Sequence, residues 1–315
     1  MNFKRITDVI KNNDTFLLGT HQDVEGDALG SVLAMYMLLR RLKKKAYIYH
    51  PQQVPVNYKF MPSSFVVKHQ PPKDKVDCGI ILDCSDITRL GKARPAFINA
   101  DILVNIDHHI SNTKFADINV VEPKASSACE IVYKIYKRFY SKITKDVAVC
   151  LYAGIFTDTG SFTYSPTTSY VHKIVSELLK CGVHPVDVYH NIYSLFKAED
   201  VSFIGKVLSS VQQDKSKKVV WVKTNRWIES TYGDLTEAIF HNLRSIRTGQ
   251  VFVLFKKFEK NTIRVNFRSN GKFNVNRIAR FFGGGGHKNA AGASVRNGSI
   301  NSVEKKIISF IKKYI

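Results

Sequence analysis

Carboxylates and imidazoles recur in four separated segments of the chain, and together they have the composition of a metal site. The residues are His21, Glu25, Asp27, Asp83, Asp107, His108, His109 and Asp158. Any one of them could be a helix cap or a surface residue. As a group they indicate bound cations, because clustered carboxylates repel one another and persist mainly where positive charge compensates them.

The kind of ligand atom narrows the choice of metal. Nitrogen and oxygen donors without a thiolate suit Mn²⁺, and less strongly Mg²⁺, Co²⁺ or Zn²⁺. Two such cations, about 3.5–4 Å apart, would need a shared carboxylate and would hold a bridging water that becomes a hydroxide nucleophile at neutral pH. The pattern therefore predicts a hydrolytic centre.

A glycine run near the C-terminus is a second candidate for chemistry. Gly283, Gly284, Gly285 and Gly286 are followed by His287 and Lys288. Glycines let backbone N–H groups turn toward an anion at close range, and a His or Lys can complete the charge. A glycine run is as often a plain flexible loop, so this segment alone predicts only a candidate anion site.

The elements that must position these residues follow from the hydrophobic pattern. Short apolar runs at 15–20, 46–49, 78–82 and 101–106 predict strands, and 28–42, 126–140, 146–156 and 169–179 predict helices. Strands alternating with helices predict an α/β fold with a mostly parallel sheet. The first three polar segments follow the carboxyl ends of strands, which is the edge where ligands bind in open α/β sheets.

The length of 315 residues predicts two domains. We expect an N-terminal domain over 1–190, a connection over 191–210 and a smaller α/β domain over 211–315. The smaller domain is predicted from strands at 219–223, 251–255 and 262–267 and helices at 235–243, 275–281 and 302–314.

The positive charge is concentrated in the C-terminal third. The formal net charge is +21, and residues 201–315 contribute +16 of it, with 22 basic and 6 acidic side chains. Such a field attracts polyanions, which makes nucleic acid or phosphorylated substrates better candidates than apolar ligands. The alternative is a lysine bias that serves only solubility.

The cysteines and the apolar segments of the chain predict its cellular compartment. The five cysteines form no CxxC pair and have no His at zinc-finger spacing, so we expect reduced thiols. The N-terminus has no signal-peptide pattern, and apolar runs stop at about ten residues, short of the roughly 20 that span a bilayer. We expect a soluble, cytoplasmic protein without membrane contact.

The order of the motifs resembles the DHH family of phosphoesterases. The resemblance rests on Asp107-His108-His109 with Ser111-Asn112, and on the segment from Gly154 to Phe162. It implies two Mn²⁺ ions. One would be held by His21, Glu25 and Asp83, and the other by Asp27, Asp83, His108 and Asp158. It also implies that Asp83 bridges the metals and that His109 faces the scissile phosphate.

Glu25 departs from the family pattern, which typically has Asp at this position. Glutamate keeps the charge and adds one methylene, so we expect the first metal site to survive with a shifted geometry, weaker affinity or altered metal preference. Asp23 could substitute as a ligand, but its spacing from His21 does not fit the pattern. Loss of catalysis is the opposing interpretation.

The C-terminal segments resemble the DHH-associated domain. The resemblance lies in Phe282 to Ala293 and in the Arg268-Ser269 strand end. It implies that Arg268, Ser269, Gly284, Gly285, Gly286 and His287 hold the substrate. Arg268 could instead pair with a surface carboxylate. We expect the active site in a cleft between the two domains, with the basic domain measuring substrate length.

Within the family, a chain of two domains without added modules resembles the group of enzymes that degrades very short RNA and dephosphorylates 3′-phosphoadenosine 5′-phosphate. The resemblance implies hydrolysis of short single-stranded oligoribonucleotides to mononucleotides and of the bisphosphate to AMP. A cyclic-di-AMP or linear di-adenylate phosphodiesterase is the first alternative. A non-catalytic nucleic-acid-binding protein with a decayed metal site is the second. Formation of a homodimer, cleavage polarity and the general acid stay open.

Overall fold

The computed structural model describes residues 3–194, 196–225, 235–259, 261–286 and 288–315. The chain divides into two compact units, Met1–Ser194 and Leu195–Ile315.

The first unit alternates strands with helices. Its strands are β1 (Thr15–Gly19), β2 (Lys45–Tyr49), β3 (Val67–Lys68), β4 (Cys78–Leu82), β5 (Ile102–Asp107) and β6 (Ile118–Val121). Its helices are α1 (Phe3–Asn12), α2 (Gly26–Arg41), α3 (Arg94–Ile98), α4 (Ala128–Phe139), α5 (Lys145–Asp158), α6 (Ser169–Lys180) and α7 (Pro185–Tyr193). Short 3₁₀ helices span Val56–Tyr58, Ser64–Val66 and Ile87–Ala93.

The strands of the first unit form a parallel sheet in the order β3-β2-β1-β4-β5-β6. Residues of β4 are buried on both faces, which explains why its sequence is apolar throughout rather than alternating. Leu18 of β1 pairs with Ile80 of β4, and Ile80 pairs with Val104 of β5. The α/β fold and the mostly parallel sheet predicted from the sequence are confirmed.

Helices α2 and α5 approach closely, and glycines make this approach possible. A Cβ on Gly30 of α2 would lie 2.5 Å from the carbonyl oxygen of Cys150 in α5, and one on Gly154 of α5 would lie 3.0 Å from Asp27 Oδ1 of α2 and 2.2 Å from Cys129 Sγ of α4. No larger residue fits at either position without moving backbone or a buried side chain. The close packing brings the first turn of α2 to the last turn of α5, where two of the predicted ligands lie.

The second unit is a separate α/β unit built on a mixed sheet. Its helices are α8 (Ala198–Leu208), α9 (Leu235–Leu243), α10 (Val275–Phe281) and α11 (Ile300–Ile311). Its strands are β7 (Gln212–Gln213), β8 (Val219–Thr224), β9 (Val251–Glu259), β10 (Thr262–Ser269), β11 (Gly285–Gly286) and β12 (Ala290–Arg296). They are ordered β11-β12-β10-β9-β8-β7, and β8 and β9 are the parallel pair among the described strands.

Separate apolar clusters cover the two faces of this sheet. Ile204 and Val207 of α8 pack with α9 on one face, while α10 and α11 pack on the other. Helix α8 therefore occupies much of the predicted connection at 191–210 and belongs to the second core. The last helix also begins earlier than predicted, because the Ser299 hydroxyl caps it by accepting a hydrogen bond from Ser302 N–H. The predicted domain limits themselves stay a prediction.

Candidate metal centre and substrate-contacting segments

The predicted ligands lie where strands and helices of the first unit end. His21 follows β1, Asp83 follows β4, and His108 follows β5. Glu25 precedes α2, Asp27 lies in its first turn, and Asp158 is the last residue of α5. Because neighbouring parallel strands end at one edge of the sheet, distant parts of the sequence are gathered there.

Asp83 is the centre of the cluster. Its Oδ2 lies 3.6 Å from His21 Nε2, and its Oδ1 lies 3.5 Å from His108 Nε2. It is fully buried, and its backbone has φ 51°, a left-handed conformation uncommon outside glycine. Within the described residues, both of its carboxylate oxygens lack a hydrogen-bond partner, as does His21 Nδ1. Buried polar atoms that accept no hydrogen bond are costly, so these atoms are suited to ligation.

The ligand atoms fall into overlapping groups that could each hold a cation. His21, Glu25 and Asp83 form one group, and Asp27, His108 and Asp158 form another. Asp83, His108 and His109 form a third, which shares one residue with each of the first two, and the donor atoms of each group lie within 4.8 Å of one another. His108 Nε2 is 3.4 Å from Asp158 Oδ2 and 4.0 Å from Asp27 Oδ2. The structure thus brings together every residue that the resemblance implied as a metal ligand.

Asp27 is held by the N-terminus of α4, a contact that sequence reasoning missed. Ala128 N–H donates to Asp27 Oδ2 at 2.6 Å, and Cys129 N–H donates to Oδ1 at 2.8 Å. The first N–H groups of a helix have no partner within the helix, and the helix dipole favours a negative charge beside them. No motif in the sequence marks this contact, because it joins segments about a hundred residues apart.

Asp107 orients His109, a second role that sequence reasoning did not assign. The distance between His109 Nδ1 and Asp107 Oδ1 is 2.7 Å, and Asn112 Nδ2 donates to Asp107 Oδ2 at 2.6 Å. Asn112 also donates to Asn105 Oδ1 at 2.7 Å. The clue available in the sequence was the position of Asp107 and Asn112 within the same short motif as His109.

Three carboxylates of the cluster are difficult to ionise in the absence of a cation. Burial, followed by repulsion from Asp27, raises the pKa of Asp158 to about 9. Burial and repulsion from Asp83 raise the pKa of Asp27 to about 6. Desolvation and repulsion from Asp83 and Asp27 raise the pKa of Glu25 to about 7. Because Glu25 is exposed over part of its surface, we give repulsion the greater weight there.

The pKa values of His108 and His109 are shifted in the direction that favours the charged form. Burial works against a charged imidazole, but contact with Asp83 and Asp158 raises the pKa of His108 to about 10. The hydrogen bond to Asp107 likewise raises the pKa of His109 against the effect of burial. Burial also opposes ionisation of Asp83, yet His108 and His21 hold its pKa below the ordinary range. In the metal-free protein, protons thus supply the positive charge.

The donor set fits a divalent cation. Three carboxylates with raised pKa values, together with Asp83, whose buried oxygens have no hydrogen-bond partner among the described residues, are the pattern expected where a cation normally compensates the charge. The ligands are nitrogen and oxygen atoms, which suits Mn²⁺ and related metals.

In the second unit, Arg268 and Ser269 lie at the end of β10, and both already have partners. Arg268 forms an ion pair with Glu237, and its guanidinium carbon lies 5.0 Å from the ring centre of Phe240. The Ser269 hydroxyl donates to the Phe273 carbonyl oxygen at 2.8 Å and accepts from Asn289 Nδ2 at 2.9 Å. The alternative foreseen for Arg268, pairing with a carboxylate, is present, and its substrate role stays a prediction.

The glycine segment is partly a strand rather than a plain loop. Gly285 and Gly286 form β11, which pairs with Gly292 and Ala291 of β12. A Cβ on Gly284 would lie 2.0 Å from the Gly292 carbonyl oxygen. Tight pairing of backbones is therefore one reason for glycine here, besides any contact with an anion. His287 lies outside the described residues.

Among the described residues, no helix is both long and apolar enough to cross a membrane.

Comparisons with known proteins agree with the motifs. Residues 15–155 match the model of the DHH family, N-terminal domain, and residues 225–315 match that of the DHHA1 domain. A probable bifunctional oligoribonuclease and PAP phosphatase NrnA from Streptococcus mutans is 31% identical, over 93% of this chain and 93% of the relative. The bifunctional oligoribonuclease and PAP phosphatase NrnA from Thermus thermophilus is 28% identical, over 94% of this chain and 89% of the relative.

A similar solved structure extends over both units. The crystal structure of an exopolyphosphatase-related protein from Bacteroides fragilis has a TM-score of 0.89 and 26% identity, covering 99% of this chain and 96% of the other.

Proposed function

The chain belongs to the DHH family of phosphoesterases, and from that premise we propose that it hydrolyses short oligoribonucleotides to mononucleotides and 3′-phosphoadenosine 5′-phosphate to AMP. The observation that carries the proposal is the gathering of His21, Glu25, Asp83 and the group around His108 at one edge of the parallel sheet. The names of the curated relatives support this substrate class.

We assign two Mn²⁺ ions as the cofactor, with Mg²⁺ or Co²⁺ as alternatives. His21, Glu25 and Asp83 would hold one ion, and Asp27, His108, Asp158 and Asp83 would hold the other. When bound, such cations neutralise the non-bridging phosphate oxygens and activate the attacking water. The overlapping groups of ligand atoms support this assignment.

The residues of the chain have separate tasks in the proposed reaction. The N-terminus of α4 fixes the Asp27 carboxylate, so that both oxygens are held before any ligand arrives. Asp107 holds the proton on His109 Nδ1 and favours the charged imidazolium. His109 Nε2 can then donate a hydrogen bond to the phosphate and stabilise the negative charge that develops there.

We assign catalysis to residues 1–190 and substrate binding to residues 211–315. Positive charge in the second part favours phosphate-bearing ligands. Arg268, Ser269, Gly284, Gly285, Gly286 and His287 are the proposed substrate contacts. We also propose a cytoplasmic location, since the cysteines of the chain, all within the described residues, are free thiols.

The test is hydrolysis of labelled RNA from dimer to pentamer, with the bisphosphate and cyclic-di-AMP assayed in parallel. We expect Mn²⁺-dependent release of mononucleotides and of AMP, with no activity in EDTA. Asp83→Ala is the inactive control, because it would remove a ligand from both groups. If the variant keeps more than about a tenth of wild-type turnover, the two-metal assignment is wrong. Cleavage of cyclic-di-AMP alone would refute the proposed substrate class.

A further inference from the structure

Four aromatic rings form a contiguous cluster at the surface of the second unit, and two of them are stacked face to face. Phe281, at the end of α10, lies parallel to Phe310 of α11, with ring centres 4.1 Å apart and an angle of 23° between the planes. Phe282 packs edge-on against both rings, and Tyr314 lies 5.1 Å from Phe310 on the other side. We call this group the aromatic stack.

The outer members of the aromatic stack are open to solvent. Phe281 is 63% exposed and Tyr314 is 60% exposed, whereas Phe282 and Phe310 are half-buried and pack against the core formed by α10 and α11. Because these two large rings stay at the surface, the fold lacks the stabilisation that burying their apolar area would give. The inner rings pack against the core and contact Phe281.

The surroundings of the aromatic stack are strongly basic. Residues 275–315 contain eight Lys and Arg but one acidic residue, Glu304. Glu304 is already engaged by Trp221 Nε1 at 2.7 Å and by Lys223 Nζ at 2.7 Å. Lys306 Nζ lies 5.8 Å from the ring centre of Phe282. Arg277 and Arg280 of α10 are also exposed, as is Lys313 just after α11.

The aromatic stack and Arg268, one of the proposed substrate contacts, lie on opposite faces of the sheet of the second unit. Side chains alternate between the two faces of a strand. Phe267 of β10 packs in the core with α10 and α11, and its neighbour Arg268 points to the other face, where it contacts Phe240 and Glu237 of α9. The stack therefore lies on the α10–α11 side of the sheet and Arg268 on the α9 side.

We propose that the aromatic stack is a second binding site for single-stranded RNA, in which a nucleobase stacks on the outer face of Phe281 and the adjoining basic side chains contact the phosphates. Exposed aromatic rings combined with basic residues are the usual means of binding single strands without reading their sequence. The site goes beyond the proposed hydrolysis, because it would bind RNA through residues that are neither proposed metal ligands nor proposed substrate contacts.

Charge argues against two other occupants. A second copy of the chain would bring the same positive surface against itself, which is unfavourable without intervening anions. An anionic membrane would match the charge, but it would not use the parallel ring stacking, which extends naturally into a stack of bases. Single-stranded RNA matches both the positive charge and the stacked rings.

The test is binding of fluorescein-labelled single-stranded RNA of about 12 nucleotides, followed by anisotropy. The full chain is used in EDTA, and the RNA is checked on a gel after each titration. Phe281→Ala should weaken binding about 5- to 100-fold. Phe281→Leu should weaken it similarly, because leucine keeps the apolar surface but lacks a ring, whereas Phe281→Tyr should bind within about twofold of wild type.

Phe65→Ala is the matched control, since Phe65 is 84% exposed in the first unit and lies outside the aromatic stack. It should bind RNA as wild type does. Circular dichroism and thermal denaturation establish that each variant is folded. Hydrolysis of an RNA dimer by Phe281→Ala should equal that of wild type, so a failure of the proposed catalysis and a failure of this site are separately visible.

Several results would overturn the proposal. Phe281→Ala or Phe281→Leu with wild-type RNA affinity would exclude stacking on this ring. Conversion of a dimer to a monomer by Phe281→Ala, measured by sedimentation with RNA affinity unchanged, would make the patch a subunit contact. Loss of binding to vesicles of anionic phospholipid, again with RNA affinity unchanged, would make it a membrane contact.

Discussion

Asp158→Asn should stabilise the metal-free protein and destabilise the metal-loaded one. The substitution replaces a carboxylate by a neutral amide of the same shape. Burial and repulsion from Asp27 raise the pKa of Asp158 from an ordinary 3.8 to about 9, so the folded protein without cations resists ionisation at this site. Removing the carboxyl group removes that cost, and it also removes a proposed ligand.

The expected change in the free energy of unfolding follows from the pKa difference of Asp158 between the folded and unfolded states. The interval from 3.8 to pH 7 corresponds to roughly 4 kcal/mol, at about 1.4 kcal/mol per pH unit. Asp27 and Glu25 share the same repulsion and relax when it is relieved, so we expect a gain of about 1–3 kcal/mol at pH 7. The sign depends on pH. Below about pH 4 the carboxyl group is protonated in both states, and as pH rises toward 9 the unfolded chain is increasingly favoured because it alone ionises freely.

The assay is urea denaturation of wild type and variant in EDTA and in excess Mn²⁺, between pH 5 and 8. In EDTA, the free energy of unfolding of the variant should exceed that of wild type by an amount that grows with pH. In Mn²⁺, wild type should be the more stable protein, since it alone gains the full binding free energy of the cation. Asp23→Asn, at an exposed position of the neighbouring segment, is the control and should change neither curve. A variant that is no more stable than wild type in EDTA at pH 7 would refute the assumption of an uncompensated carboxylate cluster.

Three further predictions concern the site. Glu25→Asp should preserve or increase activity, because it shortens the carboxylate to the family's usual length; a large loss of Mn²⁺ affinity in a titration would instead mean that the backbone has adapted to glutamate. Asp107→Asn should lower kcat/KM by about 10- to 100-fold and shift the basic limb of the pH–rate profile to lower pH, since His109 loses the charge that raises its pKa; an unchanged profile would exclude this role. Arg268→Ala and His287→Ala should raise KM by about ten- to a hundredfold with little change in kcat, whereas the control Glu237→Gln should leave KM unaltered. If Arg268→Ala and Glu237→Gln instead lower the stability of the protein equally and leave KM unchanged, the ion pair is structural.

Much of the fold and the candidate metal centre could be predicted from the sequence. Apolar runs such as that at 78–82 mark buried parallel strands, and β4 spans Cys78–Leu82. Parallel strands end at a shared edge, so the residues after them must meet. That topological rule is why Asp83 and His108, distant in sequence, could be expected to lie together.

Contacts made from elements without a local signal could not be predicted. The N–H groups of Ala128 and Cys129 hold Asp27 only because α4 packs beside α2, and backbone donors leave no trace in composition. The partner of Arg268 is a glutamate 31 residues earlier, which depends on how α9 covers the sheet. The pairing of β11 with β12 was hidden for a similar reason, since a glycine run fits a loop and a strand equally well.

The hydrogen bonds of the cluster distinguish Asp83 from the other buried carboxylates. Asp107 is bonded to His109 and Asn112, and Asp27 accepts a backbone hydrogen bond on each oxygen. Asp83 has no hydrogen-bond donor on either oxygen among the described residues, and its charge is compensated by the protonated His108 nearby. A nitrogen that carries a proton cannot also ligate a metal, so a cation held by His108, as proposed, would displace the proton from His108 and take over its role beside Asp83. Metal binding should therefore release protons, and the release should be largest at a pH where His108 of the metal-free protein is still charged.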